Sequence, residues 1–327
     1  MKYLKRILLS ITLLIVAPAF SQTAHDWQNV LKLVPVKIEE NKRRIEAAKK
    51  AEEEAERERI KAEKKAKQEE ETASLQQKSK ENTRYVKSMD SYFVKMPEKN
   101  YEVMTTEVTQ KLWKSVMNEN PSNIKGEKRP VETVRFVDCL IFCNKLSEKE
   151  GLTPCYSYGG KTDLSEMKSD LDKIEKKIDK MKDRHKDFFK KEKILKSFFE
   201  KNFISNFSAG GYRLPTREEW YYAARGGQNL KYSGSDDIDE VAWYNKNSNS
   251  PQDVATKKAN GYGLYDMTGN VREWCVRHEY SKSGWYLVGG SYRHDESKCE
   301  ISSSDDWSSY PFRVNSNLGL RLVRTVE

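Results

Sequence analysis

The stretch GGSYRHDESKC, from Gly289 to Cys299, carries the strongest signal of the fold, because it ends a series of motifs that follow one another along the chain. Going back toward the N-terminus, NGYGLYDMTGNVREW runs from Asn260 to Trp274, and GGYRLPTREEWYYAARGG runs from Gly210 to Gly227. In this last motif, Thr216 and Glu219 predict a capping box at the start of a helix, and the terminal glycine pair predicts its end.

This ordered series resembles the formylglycine-generating enzymes, also called sulfatase-modifying factors. The matching starts at YEVMTTEVTQKLW, from Tyr101 to Trp113, and continues to Arg324 with one interruption. Several independent motifs in the same order are not expected by chance. The resemblance implies an α+β fold of the C-type-lectin-like kind found in this family, rich in loops and with a surface cleft. Composition and periodicity alone do not predict that fold.

The resemblance also implies a candidate active site. In the oxidases of this family, two cysteines five residues apart hold copper(I), and the bound copper activates dioxygen to oxidise a sulfatase cysteine. Here Cys299 stands at the second cysteine position and His294 at the first. Because imidazole also binds copper, one interpretation is a mixed Cys/His copper site. The other is a lone buried thiol in a cleft that has lost its oxidase role.

Further site residues follow from the same resemblance. Ser291, a candidate catalytic residue with Cys299 and His294, matches a position that lines the cleft, as does Asn317. Asn317 is alternatively only a turn residue. Asn270 and Glu273 match a calcium site, for which amide and carboxylate oxygens are suitable ligands. The alternative is that Asn270 caps a turn and that Glu273 pairs with a nearby arginine.

The N-terminus predicts export. Basic residues precede an apolar run from Ile7 to Ala17, and Ala19-Phe20-Ser21 places small residues where a signal peptidase reads them. The run is shorter than the roughly 20 apolar residues of a membrane span. We therefore expect a signal peptide over residues 1–21 and a mature chain, without a stable membrane span, in the periplasm, outside the cell or at its surface. An uncleaved membrane anchor is the alternative.

Residues 22–84 predict a charged helical arm or linker. Lys, Arg, Glu and Ala dominate it, and neither Gly nor Pro follows Pro35. Ile38 and Ile45 begin the apolar seam of a coiled coil, but Glu52 stands at the next seam position. A solvated single helix, a weak oligomerising stalk and a disordered linker all remain open.

We expect the domain that resembles the formylglycine-generating enzymes to span residues 85–327, with a helical insertion at 163–206. Apolar residues recur in the insertion every three to four positions, as on one face of a helix; they are Leu164, Met167, Leu171, Ile174, Ile178 and Met181. We expect a helical hairpin that breaks around 184–186. Its apolar face packs on the host domain, on the arm or on a partner chain.

Composition narrows the function classes. The 59 basic and 50 acidic residues give a net charge of +9, but blocks of one sign are short, so no nucleic-acid role is expected. No P-loop, GxSxG or HExxH motif occurs. The five cysteines leave at least one thiol without an internal partner. We expect Cys139 and Cys143 to be buried as small apolar residues.

Three functions follow. The first is an exported, non-oxidase member of the family that binds a peptide, a glycan or a partner protein in its cleft. The second is a copper-dependent oxidase that converts a sulfatase cysteine to formylglycine. The third is a structural component of a cell-surface machine, assembled through the arm and the insertion.

Overall fold

The computed structural model describes residues 24–181, 188–276, 285–303 and 311–327. The predicted signal peptide and the predicted hairpin break at 184–186 lie outside these residues. Two compact units divide the chain, one ending at Lys67 and the other running from Gln68 to Glu327. In the part of the chain that is described, no helix combines the length and the apolar character that crossing a membrane requires.

One long helix, α1, runs from Ala24 to Glu81. Between Pro35 and Lys67 nearly every side chain is exposed, including those of Ile38 and Ile45. Ion pairs one turn apart support this stretch, such as those from Arg59 to the glutamates at 56 and 63, at 3.0 and 3.5 Å. From Pro35 to Lys67 the predicted arm is therefore a helix with nearly all of its side chains exposed.

The last four or so turns of α1 belong to the second unit and pack on it. Thr72 Oγ1 donates to Gln228 Oε1 at 3.1 Å, and Ser79 Oγ donates to the backbone carbonyl of Tyr262 at 2.7 Å. Leu75 lies against Gly261, where an added Cβ would come within 2.9 Å of the leucine Cδ1. This glycine therefore leaves the space that the helix occupies.

A five-stranded antiparallel sheet joins the two ends of the second unit. Its strands, in spatial order, are β1 (Thr83–Val86), β2 (Ser91–Lys95), β3 (Tyr101–Met104), β10 (Val323–Thr325) and β6 (Tyr212–Arg213). Strand β10 lies inside the sheet, with Val323 opposite both Val103 and Arg213. It therefore connects β6 to the other three strands.

Two smaller sheets complete the strands. In the first, β7 (Arg272–Val276) pairs antiparallel with β8 (Trp285–Val288) and parallel with β9 (Leu318–Gly319). The second pairs β4 (Tyr156–Tyr158) with β5 (Phe203–Ser205). Every residue of β7 is buried, so the strand that carries part of the NGYGLYDMTGNVREW motif lies inside the unit.

Among the described residues, four α-helices belong to the host domain. They are α2 (Gln110–Met117), α3 (Phe136–Lys149), α6 (Arg217–Arg225) and the short α7 (Ile238–Val241). At the start of α6, Thr216 Oγ1 accepts from the Glu219 backbone N–H at 3.1 Å, and the Glu219 carboxylate accepts from the Thr216 N–H at 2.8 Å. Gly226 ends the helix in the left-handed conformation. The predicted capping box is confirmed.

The insertion contains two helices, α4 (Ser165–Asp179) and α5 (Phe188–Asn202). The apolar stripe of α4 is buried in the main core. On α5, the ring of Phe199 lies 6.2 Å from that of Phe136 and 5.3 Å from that of Trp285. Arg135 on the host domain donates to Asp172 on α4 at 2.6 Å. Of the three predicted surfaces for this face, the host domain is therefore the one observed.

The unit as a whole is the predicted mixture of helices and short strands connected by long loops. In its main core α2 packs against α3, with the rings of Trp113 and Phe142 stacked at 4.7 Å. All five cysteines are buried and none is disulfide-bonded; they are Cys139, Cys143, Cys155, Cys275 and Cys299. The predicted burial of Cys139 and Cys143 is confirmed.

Candidate functional site

The Gly289–Cys299 stretch leaves β8 and folds back beside β7. Gly290 has a φ of +71°, and an added Cβ would lie 2.6 Å from Cys299 Sγ, so only glycine fits here. The backbone N–H of His294 donates to the Ser291 carbonyl at 2.9 Å and closes a turn. Asp295 then caps the 3₁₀ turn Glu296–Cys299, which returns the thiol to the neighbourhood of Ser291.

Ser291 is the centre of a side-chain hydrogen-bond network. Its Oγ accepts from Asn317 Nδ2 at 3.0 Å and from the Arg293 backbone N–H at 3.3 Å. With both lone pairs engaged, the hydroxyl proton is directed to His294 Nδ1, 2.9 Å away. This assigns the Nε2–H tautomer to the neutral imidazole. Because Ser291 is fully buried, its hydroxyl positions the ring and is not exposed as a nucleophile.

The imidazole of His294 is neutral at physiological pH. Burial first of all, and then the positive charges of Arg272, Lys298 and Arg313, lower the pKa of His294 to about 4 against the opposing charge of Asp295. The ring therefore offers a hydrogen-bond donor at Nε2 without a positive charge.

Cys299 lies in apolar surroundings under this network. Its side chain clusters with those of Tyr232, Val241 and Tyr244, and its Sγ lies 3.9 Å from the Ser291 carbonyl oxygen. Burial raises the pKa of the Cys299 thiol to about 12. The sulfur is therefore held as a protonated thiol, which is a poor nucleophile and a poor metal ligand.

These groups do not fit the two-thiolate copper(I) centre of the family's oxidases. The histidine ring is bonded to the Ser291 side chain, while the thiol faces the Ser291 backbone. Across the described ranges, no three His, Cys, Asp or Glu side chains are arranged to hold a metal ion. No reaction step through copper follows from this arrangement.

Asn317 also has a free acceptor. Its Nδ2 is bonded to Ser291, but within the described part of the chain its buried Oδ1 has no hydrogen-bond partner. Beside it, Arg293 donates to Ser316 Oγ at 2.7 Å and to Tyr292 Oη at 2.9 Å. The structure thus brings Ser291, His294 and Asn317 together in one array of hydrogen-bonding groups.

The two residues of the predicted calcium site have other partners. The Glu273 carboxylate accepts from Arg321 Nη2 at 2.8 Å and from Trp220 Nε1 at 2.7 Å, and all three residues are buried. Asn270 donates from Nδ2 to Glu107 at 2.7 Å and accepts at Oδ1 from the Gln252 N–H at 2.9 Å. These side-chain oxygens do not fit a calcium centre. The contacts match the alternative, in which Glu273 pairs with an arginine.

Two buried acids that sequence reasoning missed support the same region. Glu107 accepts from the Val271 N–H at 3.0 Å as well as from Asn270, and burial raises its pKa well above the ordinary value. Asp266 accepts from the Ala255 N–H at 2.8 Å, and burial raises its pKa to about 6. The signal that could have drawn attention to Glu107 is an acidic residue inside the apolar motif from Tyr101 to Trp113.

Comparisons with known proteins agree with this architecture. A family model described as the sulfatase-modifying factor enzyme 1-like domain matches residues 38–326. The chaperone protein LppX of Paenibacillus barcinonensis is 36% identical over 250 residues, covering 67% of this chain and 78% of that protein. The formylglycine-generating enzyme of Streptomyces coelicolor is 36% identical over 152 residues, covering 36% of this chain and 48% of its own length.

Two solved structures have a similar fold. Treponema denticola variable protein 1 superposes with a TM-score of 0.57 at 28% identity, covering 74% of this chain and 98% of that one. CarF superposes with a TM-score of 0.51 at 26% identity, covering 69% and 87%. The fold expected from the motif order is confirmed.

Proposed function

Because this chain belongs to the sulfatase-modifying factor enzyme 1-like domain family, we propose that it is an exported non-oxidase member that binds a peptide, glycan or partner protein through the cleft at Ser291, His294 and Asn317. The observation that carries the proposal is the position of His294. It stands where the family's oxidases have their first copper-binding cysteine, and its Nδ1 is engaged by Ser291 at 2.9 Å. The relative LppX, which carries the name of a chaperone, supports a non-catalytic role.

The chemistry of the site supports binding over oxidation. The family's oxidase reaction needs a thiolate pair, whereas this site has one protonated thiol and one neutral imidazole. The half-buried His294 suits recognition, since its neutral ring provides a donor at Nε2, whereas the unpaired Oδ1 of Asn317 is buried. A peptide carbonyl or a sugar hydroxyl carries an acceptor complementary to that donor.

A formylglycine assay tests this proposal. The purified full chain, supplied with copper and a sulfatase-type cysteine peptide, should show no turnover and no stoichiometric uptake of copper(I). The variant His294→Cys restores two cysteines five residues apart and should take up one copper(I) per chain. Turnover by the natural chain that disappears in Cys299→Ala would overturn the proposal in favour of the copper-dependent oxidase.

Export and self-association through the arm are further parts of the proposal. The basic residues and short apolar run before Gln22 support export, and the exposed Ile38 and Ile45 support a weak contact between arms. N-terminal sequencing of the exported chain should begin at Gln22, and an uncleaved cytoplasmic chain would contradict export. Light scattering should show an oligomer that Ile38→Lys with Ile45→Lys dissociates. Monomers in both samples would contradict association through the arm.

A further inference from the structure

A second surface lies around the start of α2 and shares no residue with the Gly289–Cys299 stretch. It is a pocket of about 600 Å³ between α2 and the loop that follows it. We call it the lysine pocket; its lining includes Gln110, Lys111, Lys114, Asn120, Lys125 and Glu127, and no apolar side chain. This volume falls within the range of about 300–1,000 Å³ that is usual for small-ligand sites.

The lysine pocket is held in shape by one buried amide. Gln110 donates from Nε2 to two loop carbonyls, at 2.8 and 3.2 Å. Its Oε1 accepts from Asn120 Nδ2 at 2.9 Å and from the Gly126 backbone N–H at 3.0 Å. Every hydrogen-bonding group of this amide is used, so the loop is fixed against α2 before any ligand arrives. A pre-formed wall of this kind lowers the entropic cost of binding.

The ammonium groups of the pocket are not all neutralised. Within the residues that the structure describes, the side chain of Lys125 makes one hydrogen bond, from Nζ to the carbonyl of Asn120 at 2.8 Å, and no ion pair. Lys114 is exposed, and in the ranges that the structure describes it has no hydrogen bond or ion pair from its side chain. Among the lining residues Glu127 is the one acid, against three lysines. The pocket therefore favours a ligand that carries negative charge.

An exposed aromatic pair continues this surface. Tyr85 on β1 and Tyr92 on β2 are cross-strand partners whose rings lie 4.8 Å apart, and they are 47% and 52% exposed. Tyr85 Oη donates to Asp90 Oδ1 at 2.8 Å, and the other oxygen of Asp90 accepts from Lys111 Nζ at 3.0 Å. Because Lys111 lines the pocket, this chain of contacts connects the tyrosine pair to the lysines.

We propose that the lysine pocket and the tyrosine pair together bind an anionic carbohydrate. The apolar C–H face of a sugar ring packs on Tyr85 or Tyr92, and a carboxylate or sulfate on the same sugar chain pairs with Lys114 and Lys125. A neutral peptide is a poorer fit, because it has no anionic group to pair with Lys114 and Lys125. This site shares no residue with the network of Ser291, His294 and Asn317.

Isothermal titration calorimetry on the purified full chain tests the site. The probes are trigalacturonic acid, a sulfated heparin hexasaccharide, the neutral sugar maltotriose and the acidic peptide hexaglutamate. The variants are Lys114→Glu and Tyr92→Ala. Lys49→Glu is the matched control, because it makes the same charge change at an exposed position on α1. Thermal melting of each variant establishes that it is folded.

The expected result is binding of at least one anionic sugar, weakened at least tenfold by Lys114→Glu, at least threefold by Tyr92→Ala and less than twofold by Lys49→Glu. The preferred sugar then identifies carboxylate or sulfate as the recognised group. Three results would overturn the proposal: neither anionic sugar binds, maltotriose or hexaglutamate binds at least as tightly, or Lys114→Glu behaves like Lys49→Glu. Because Lys114 is exposed, its substitution keeps the test valid even where Tyr92→Ala does not fold.

Discussion

Acidification should destabilise the protein through His294, and the variant His294→Gln should remove that effect. Glutamine can still hydrogen-bond with Ser291 but has no proton to gain. In the folded protein burial holds the pKa of His294 at about 4, against an ordinary value of 6.5. Between these two pH values the unfolded chain binds a proton that the folded chain does not, so the free energy of unfolding falls as the pH falls.

The size of the effect follows from the same two values. Each pH unit of difference corresponds to about 1.4 kcal/mol, so full expression of the lowered pKa would give about 3.4 kcal/mol. His294 is partly exposed, and solvent screening reduces this to about 1–2 kcal/mol. The loss should develop below pH 6.5 and be complete near pH 4, with the full stability present above pH 6.5.

Urea denaturation at pH 7.5 and pH 4.5 measures the loss, and histidine side-chain NMR identifies the tautomer. The natural chain should lose about 1–2 kcal/mol more than His294→Gln between the two pH values. The His294 signal, assigned by its disappearance in the variant, should carry its proton on Nε2 at pH 7.5. Equal losses in the two proteins, or an imidazole that titrates near pH 6.5, would refute the reasoning.

Three other perturbations have defined outcomes. Arg321→Met leaves the buried Glu273 carboxylate without its counter-charge, so urea denaturation should show that the free energy of unfolding falls by about 3–5 kcal/mol. A loss below about 1 kcal/mol, as for an exposed ion pair, would contradict the buried network. Because the pKa of Asp266 is raised to about 6, its own contribution to stability should decrease as the pH rises from about 4 to 6, opposite in sign to that of His294. Over that range the free energy of unfolding of Asp266→Asn should rise relative to that of the natural chain by up to about 3 kcal/mol. A difference between the two proteins that does not change with pH would contradict the prediction. Because all five cysteines are buried, Ellman's reagent should label less than one thiol per folded chain and all five in urea; fast labelling of Cys299 would contradict its burial.

The parts of the fold that depend on short-range patterns could be predicted. The capping box of Thr216 and Glu219 lies within one turn of helix, and the apolar spacing of α4 is equally local. The order of the motifs identified the family, and through it an arrangement of strands that no local pattern specifies. The surface on which the insertion packs could not be predicted. An amphipathic stripe shows that one face of a helix is covered, but it does not show what covers that face.

The candidate site likewise has a part that could be predicted and a part that could not. The resemblance grouped Ser291, His294 and Asn317, and the structure places all three in one network. It did not supply the partners of the buried acids. Glu107 bonds to Asn270 across 163 positions, and Glu273 bonds to Arg321 across 48. Periodicity acts over a few residues, so contacts at these separations are not encoded in spacing.

The place of β10 inside the five-stranded sheet sets the order in which that sheet can form. Strands β1, β2 and β3 follow one another along the chain and pair with one another, whereas β6 reaches them only through β10. Pairing between strands that lie far apart in sequence is slow, because a long loop has to close first. We therefore expect the three-stranded part to form first and the pairing of β10 to attach β6 to it. A chain cut between β6 and β10 would keep the partners of β1, β2 and β3 but would leave β6 without a neighbouring strand in this sheet.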